Sequence, residues 1–270
     1  MKKQFKLGVI GCGFMAFSIL KGVVLSDFLR EKKIIVSSSS EEDFEKVNYL
    51  GVRTVCDNRY VAENSEFLMF AVKPQHFGDV IKSLEGYRPE KVISIMAGVK
   101  KNTVKNALGV GVIKVARCMP NLPCSIGSGA IGIDMTDFNK STDDTDFISN
   151  VFSCLGTVVS LEESKMDAVT GISGSGPAYA FMFIDSLIDA GVRQGLTKDE
   201  AKILAVQTVL GSAEMVMREE QSVEELIMSV CSKGGTTVEA VKVLEQGNFR
   251  KTISDAVDAC INRAKELSSK

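Results

Sequence analysis

Apolar and polar positions follow two rhythms along this chain. In the first half, short apolar runs alternate with stretches of helical spacing. Residues 6–10 form a β-branched run that ends in glycines, and Phe14–Leu25 carries apolar residues at helical intervals. Residues 34–36 read as a second strand. Residues 41–50 read as a helix, with Ser40 as N-cap and Asp43 three positions on. Residues 67–72 are uninterruptedly apolar and stop at Lys73-Pro74, the pattern of a strand buried on both faces. Residues 92–95 and 111–115 are further strands. Strands alternating with helices predict a parallel sheet covered on both sides.

After about residue 160 the strand rhythm ends and helices take over. Thr197 with Glu200, and Ser222 with Glu225, are capping boxes that open helices. An apolar stripe through Leu204, Val206 and Val209 follows the first of them. Ala256, Val257, Cys260, Ile261 and Ala264 mark one face of a last helix. The expected architecture is therefore α/β in residues 1–160 and all-α in residues 161–270. The helical part is too apolar to stand alone, which predicts that some of its surface is buried against another subunit.

Composition narrows the function. Net charge is −2, from 32 Lys+Arg against 34 Asp+Glu, so no basic excess speaks for nucleic acid. Seven Cys at irregular spacing and a single His, His76, give no Cys/His metal cluster. Reduced thiols in a cytoplasmic protein are expected. Lys2, Lys3 and Lys6 ahead of an apolar run imitate a secretory leader. The glycines within that run, and the lack of a small-residue cleavage site after it, argue against one. No stretch reaches the roughly 18 uncharged apolar residues that a membrane span needs.

Those glycines have a better use. Leu7-Gly8-Val9-Ile10-Gly11-Cys12-Gly13-Phe14-Met15-Ala16 fits strand, tight turn, helix. Gly11 permits the turn, Gly13 lets the backbone approach a pyrophosphate, and Ala16 is the small residue where helix meets strand. The helix start directs free N–H groups and a positive dipole end at the phosphates. The second strand ends in Ser37-Ser38-Ser39-Ser40 rather than in an acid, so NADPH is the expected cofactor, with NADH also accepted. Glu41, Glu42 and Asp43 follow and do not help a 2′-phosphate.

Four more segments are distinctive: Ala71-Val72-Lys73-Pro74, Cys118-Met119-Pro120-Asn121-Leu122-Pro123, Gly171-Ile172-Ser173-Gly174-Ser175-Gly176-Pro177-Ala178-Tyr179, and Ser232-Lys233-Gly234-Gly235-Thr236-Thr237. With the glycine loop, in this order, they resemble the pyrroline-5-carboxylate reductase family across nearly the whole chain. The resemblance implies an N-terminal Rossmann domain and an all-α C-terminal dimerisation domain. It implies a homodimer, sometimes built into a larger ring, and reduction of 1-pyrroline-5-carboxylate to L-proline by NADPH or NADH. Gly11, Gly13, Phe14 and Met15 correspond to the pyrophosphate loop. Ser37 and Ser38 correspond to the ribose segment, and Asn58 to an adenosine contact. Ala71, Val72, Lys73 and Pro74 correspond to the strand end along the cofactor, and Ala97 and Gly98 to the nicotinamide loop. Gly234, Gly235, Thr236 and Thr237 correspond to the site for the substrate carboxylate and ring nitrogen, Ser175 to a wall of that site, and Glu220 to an acid near it. Lys233 stands where the family often has Pro.

The Gly171–Tyr179 segment reads equally well as an active-site wall and as close helix packing across a dimer. His76 reads as a loop residue rather than a general acid. Two rival functions remain at this point: a related reductase of a hydroxy acid or another imine, and a regulatory protein that only binds the dinucleotide. The first lacks a motif-borne Lys or His in the helical half. The second would be expected to have lost the loop at residues 234–237.

Overall fold

The computed structural model describes residues 3–109, 111 and 113–268. The described strands are β1 (Phe5–Ile10), β2 (Ile34–Ser37), β3 (Arg53–Val55), β4 (Ser65–Phe70), β5 (Lys91–Ser94), β6 (Lys114–Met119), β7 (Gly129–Asp134) and β8 (Gly156–Ser160). They form one sheet in the order β3-β2-β1-β4-β5-β6-β7-β8. Helices α1 (Phe14–Leu25), α2 (Glu41–Tyr49), α3 (Asn58–Asn64), α4 (Phe77–Ser83), α5 (Lys101–Leu108), α6 (Thr142–Ser153) and α7 (Met166–Val169) complete this part.

The central strands β1, β2 and β4 are largely apolar because both faces are covered. Leu7, Val9, Ile34, Val36, Phe67 and Met69 point to one face, where they pack with Ala16, Ile19 and Leu20 of α1 and Phe147, Ile148 and Val151 of α6. Ile10, Ile35, Leu68, Phe70 and Val92 point to the other, with Val61 of α3, Val80 of α4 and Val104 of α5. The pairing is parallel with one exception, the antiparallel β6 and β7. The expectation of a wholly parallel sheet is corrected there. The link from Met119 to Gly129 is a 3-10 turn closed by Gly127 in the left-handed region, too short for a helical crossover, so the strand must return antiparallel. Of the expected strand at residues 111–115, Val112 lies outside the described residues, and β6 starts at Lys114.

The chain divides into two compact units. The first runs to Ser175 and takes back the chain from Cys260; the second is Gly176–Ala259. Strand pairing ends at Ser160, next to the expected change at Leu161, and the first unit continues through α7 and a π-helical stretch, Thr170–Gly174. The remaining helices are α8 (Gly176–Arg193), α9 (Lys198–Arg218), α10 (Val223–Val230), α11 (Thr236–Gln246) and α12 (Phe249–Ser268). Both capping boxes are present. Thr197 Oγ1 accepts from the Glu200 N–H while the Glu200 carboxylate accepts from the Thr197 N–H, and Ser222 and Glu225 repeat the arrangement. Large apolar side chains stand open on these helices, among them Met182 (71% exposed), Ile203 (68%) and Met228 (68%). No helix of the described residues is long and apolar enough to cross a membrane.

Candidate active site

In the order β2-β1-β4, strand β1 lies between its two neighbours in the sheet. The chain leaves toward opposite sides on either side of it, and an open crevice results at the carboxyl ends of the strands. A cleft of about 730 Å³ sits there, lined by the glycine loop, by Ser37, Ser38, Ser39 and Asp43 after β2, and by Ala71, Val72 and Lys73 after β4. Main-chain bonds set its floor: the Gly11 N–H donates to the Ser37 carbonyl at 2.8 Å, and the Ala71 N–H to the Ile10 carbonyl at 2.9 Å.

The two loop glycines serve different ends. Gly11 has φ +90°, and a Cβ there would meet Val72 Cγ1 at 2.6 Å and the Ala71 carbonyl at 3.0 Å, so the fold itself requires glycine. Gly13 has φ −67° and ψ −179°, which any residue adopts. Nothing lies within 4 Å of a Cβ built on it. The space over Gly13 is thus the approach path for a ligand. Gly13 is also the N-cap of α1, which has no capping side chain and no acid in its first turn. This leaves N–H donors and a positive dipole end for an anion, as a pyrophosphate requires. Burial, helped by the charge of Asp43, pushes the Cys12 thiol up to about 12. The thiol therefore stays neutral beside the loop.

On the β2 side the hydroxyls are already engaged. Ser37 Oγ donates to Asn58 Oδ1 at 2.6 Å, and Asn58 Nδ2 donates to Ser83 Oγ at 2.9 Å. Ser38 Oγ donates to Asp43 Oδ2 at 2.8 Å and accepts from the Ser40 N–H at 3.2 Å. Ser40 Oγ caps α2 by accepting from the Asp43 N–H. Of the residues expected at the cofactor, Gly11, Gly13, Ser37, Ser38, Asn58, Ala71, Val72 and Lys73 line the cleft; Phe14, Met15, Pro74, Ala97 and Gly98 do not. Gly98 occupies a left-handed turn with φ +74° just after β5. Cys56, His76, Asp79 and Asp43 also line the cleft; sequence reasoning missed the first three there and read Asp43 only as part of an acidic run unhelpful to a 2′-phosphate. His76 follows Lys73 in a short 3-10 turn opened by Pro74.

The second unit carries the other loop. Gly234 has φ +74°, and the Gly235 N–H donates to the Ser232 carbonyl at 2.9 Å. A Cβ on Gly235 would crowd Ser232, whose carbonyl would be 3.0 Å away. Helix α11 begins at Thr236, so Thr236 and Thr237 are in its first turn. Gly235 is its N-cap without a side-chain bond. Thr237 is half-buried there, and the first N–H groups of α11 have no capping side chain. Glu239, an acid in that first turn, is held by Lys242 at 2.7 Å. Glu220 is exposed in the turn between α9 and α10. In the first unit, Ser175 ends the π-helical stretch, its N–H on the Thr170 carbonyl and its Oγ 3.1 Å from Cys260 Sγ.

Known proteins match both parts. The family model for pyrroline-5-carboxylate reductase dimerisation matches residues 163–267, and that for coenzyme F420-dependent NADP oxidoreductases matches residues 6–98. The pyrroline-5-carboxylate reductase of Synechocystis is 40% identical over 99% of this chain and 100% of that protein. The chain belongs to the pyrroline-5-carboxylate reductase family. Solved structures agree. The Coxiella burnetii enzyme superposes with a TM-score of 0.88 at 35% identity, covering 99% of both chains. The Plasmodium falciparum enzyme, with NADP bound, gives 0.88 at 30% identity, covering 99% of this chain and 100% of that one. This membership fixes the fold as a Rossmann unit with a helical dimerisation unit, and the chain as one that binds a nicotinamide dinucleotide. The chain is an oligomer-forming oxidoreductase with a small-molecule substrate.

Proposed function

We propose that this enzyme makes L-proline from 1-pyrroline-5-carboxylate. The carrying observation is full-length identity of 40% to a pyrroline-5-carboxylate reductase, joined to an intact glycine loop in one unit and an intact Gly234–Thr237 turn in the other. The ring imine takes up one hydride and one proton and becomes the secondary amine of proline. When bound, NADPH or NADH supplies the hydride.

The protein's own part is binding and placement. Gly11, Gly13 and the start of α1 hold the pyrophosphate. Phe14 and Met15 continue that turn, Ser37, Ser38 and Asn58 face the adenosine half, and Ala71, Val72, Lys73 and Pro74 run along the cofactor. Ala97 and Gly98, which stand outside the cleft lining, are assigned to the nicotinamide side by correspondence with the family. The N–H groups at Gly235, Thr236 and Thr237, with the bend at Gly234, bind the substrate carboxylate without an Arg. The Thr237 hydroxyl would bond the ring nitrogen and fix the imine's orientation for hydride transfer. Ser175 is assigned to substrate binding and Glu220 to an acidic role by correspondence with the family alone.

The enzyme works as a homodimer in the cytoplasm, and a larger ring of dimers is the assembly proposed beyond it. The open apolar faces of α8, α9 and α10 support the dimer. Purified protein given 1-pyrroline-5-carboxylate is expected to oxidise NADPH or NADH with proline appearing in equal amount. A protein that binds a dinucleotide and oxidises neither would overturn the substrate assignment and the role of Thr237.

A further inference from the structure

The end of β2 is where a dinucleotide fold distinguishes NADH from NADPH: an acid there accepts from the ribose 2′-hydroxyl and repels a 2′-phosphate. In this chain the strand ends in Ser37, and four serines replace the acid. The first turn of α2 folds back over them. Asp43 Oδ2 accepts from Ser38 at 2.8 Å, and Asp43 itself lines the cleft.

Three observations make this more than a surface acid. Asp43 is the one charged residue among the cleft-lining positions 37, 38, 39 and 43; Lys73, His76 and Asp79 line it from the stretch after β4. Three of the four serines are already engaged, because Ser37 and Ser38 donate to Asn58 and to Asp43 and Ser40 is the α2 cap, which leaves Ser39 alone of the run to meet a phosphate beside the Asp43 charge. Ser38 is also fixed as donor, since its oxygen accepts from the Ser40 N–H, so the hydroxyl proton points at the carboxylate. Neighbouring cations do not cancel the charge by direct pairing: Lys46, one turn along α2, is bonded to Glu42 at 2.6 Å.

We propose that Asp43 is the cofactor-discriminating residue of this enzyme, taking from within α2 the role that an acid at the strand end has elsewhere. Asp43 Oδ1 accepts from the ribose 2′-hydroxyl of NADH, and the carboxylate repels the 2′-phosphate of NADPH. This rests on the reading of the cleft as a dinucleotide site. It reverses the preference that the serine run alone suggests.

The test compares ADP and 2′,5′-ADP binding to the full chain by calorimetry, and NADH and NADPH turnover with 1-pyrroline-5-carboxylate. Wild type is expected to hold ADP more tightly and to use NADH at lower KM. Asp43→Asn keeps the acceptor for Ser38 and removes the charge. It is expected to move both ratios toward the phosphate-bearing ligand by about ten-fold or more. Ser38→Ala keeps the charge and should keep the NADH preference. A wild-type preference for 2′,5′-ADP, or an unchanged ratio in Asp43→Asn, overturns the assignment. So does a Ser38→Ala shift as large as that of Asp43→Asn, because loop shape would then be the cause. If neither nucleotide binds the wild type, the cleft reading itself falls, and this inference with it.

Discussion

Lys101 Nζ lies 3.0 Å from Asp134 Oδ1, with the two side chains only 7% and 1% exposed. The same ammonium donates to Thr136 Oγ1 at 2.6 Å and faces Asp137 at 3.3 Å. The pair ties the start of α5 to the end of β7. Nearby, the Lys101 main-chain N–H donates to Glu163 Oε1, and Glu163 and Asp167 also flank Arg117. Removing one partner of such a pair strands a buried charge, at a cost of about 3–5 kcal/mol. Lys101→Ala should lower the urea midpoint accordingly. A midpoint equal to wild type would show that Asp134 does not need the ammonium.

The same cluster predicts acid sensitivity. Burial pushes the Asp134 carboxyl up, but bonds from Thr136 and Lys101 outweigh it and hold the group below the usual carboxylate range. Asp137 is held low in the same way, by Lys105 and the Val115 N–H against burial. The unfolded chain therefore binds more protons than the folded one at acid pH. The stabilisation is fully present above about pH 5 and is lost progressively below it as the folded carboxyls protonate. Thermal melts from pH 6 down to about pH 2 should show a falling midpoint, with a smaller fall in Asp137→Asn.

Gly11 and Gly13 should part company. Gly11→Ala meets both a positive φ and Val72, at about 1–2 kcal/mol for the backbone and 1–3 kcal/mol for overpacking. Gly13→Ala fits its backbone and open surroundings, so the gain of about 0.4–1 kcal/mol from a stiffer unfolded chain offsets the poorer N-cap and stability should change little. Dinucleotide binding should nonetheless fall by at least about ten-fold. Thermal shift and calorimetry on both variants separate the two; equal loss of stability would refute the distinction.

Thr237→Ala should cut turnover about ten-fold or more, since one bond to a charged partner is worth about 1.5–3 kcal/mol. Thr237→Ser should recover part of it. Steady-state kinetics that leave kcat and KM unchanged in Thr237→Ala would remove the hydroxyl from the reaction.

Local chemistry was legible in the sequence. The strand, glycine turn and helix from Phe5 to Leu25, the cap at Ser40 and the boxes at Thr197 and Ser222 each depend on residues a few positions apart. Strand β7 was not legible: Gly129-Ala130-Ile131-Gly132-Ile133-Asp134 has small residues where β-branched ones would announce a strand, because Val169 and Cys124 pack against Gly132 and Gly129. Asp43 was read as part of an unhelpful charge run. Its contact with Ser38 depends on how the first turn of α2 folds back. Cys56 and His76 reach the cleft from segments far apart in sequence, and no local signal marks that meeting.

The capped helices of the second unit have a kinetic consequence. Thr197 and Ser222 start their helices from within the chain, so secondary structure there can form during synthesis without a partner. In the proposed dimer, the residues that α8, α9 and α10 leave open gain their burial on encounter with a second chain. Regain of activity after dilution from denaturant should then have a phase whose rate scales with protein concentration, preceded by a concentration-independent return of the sheet.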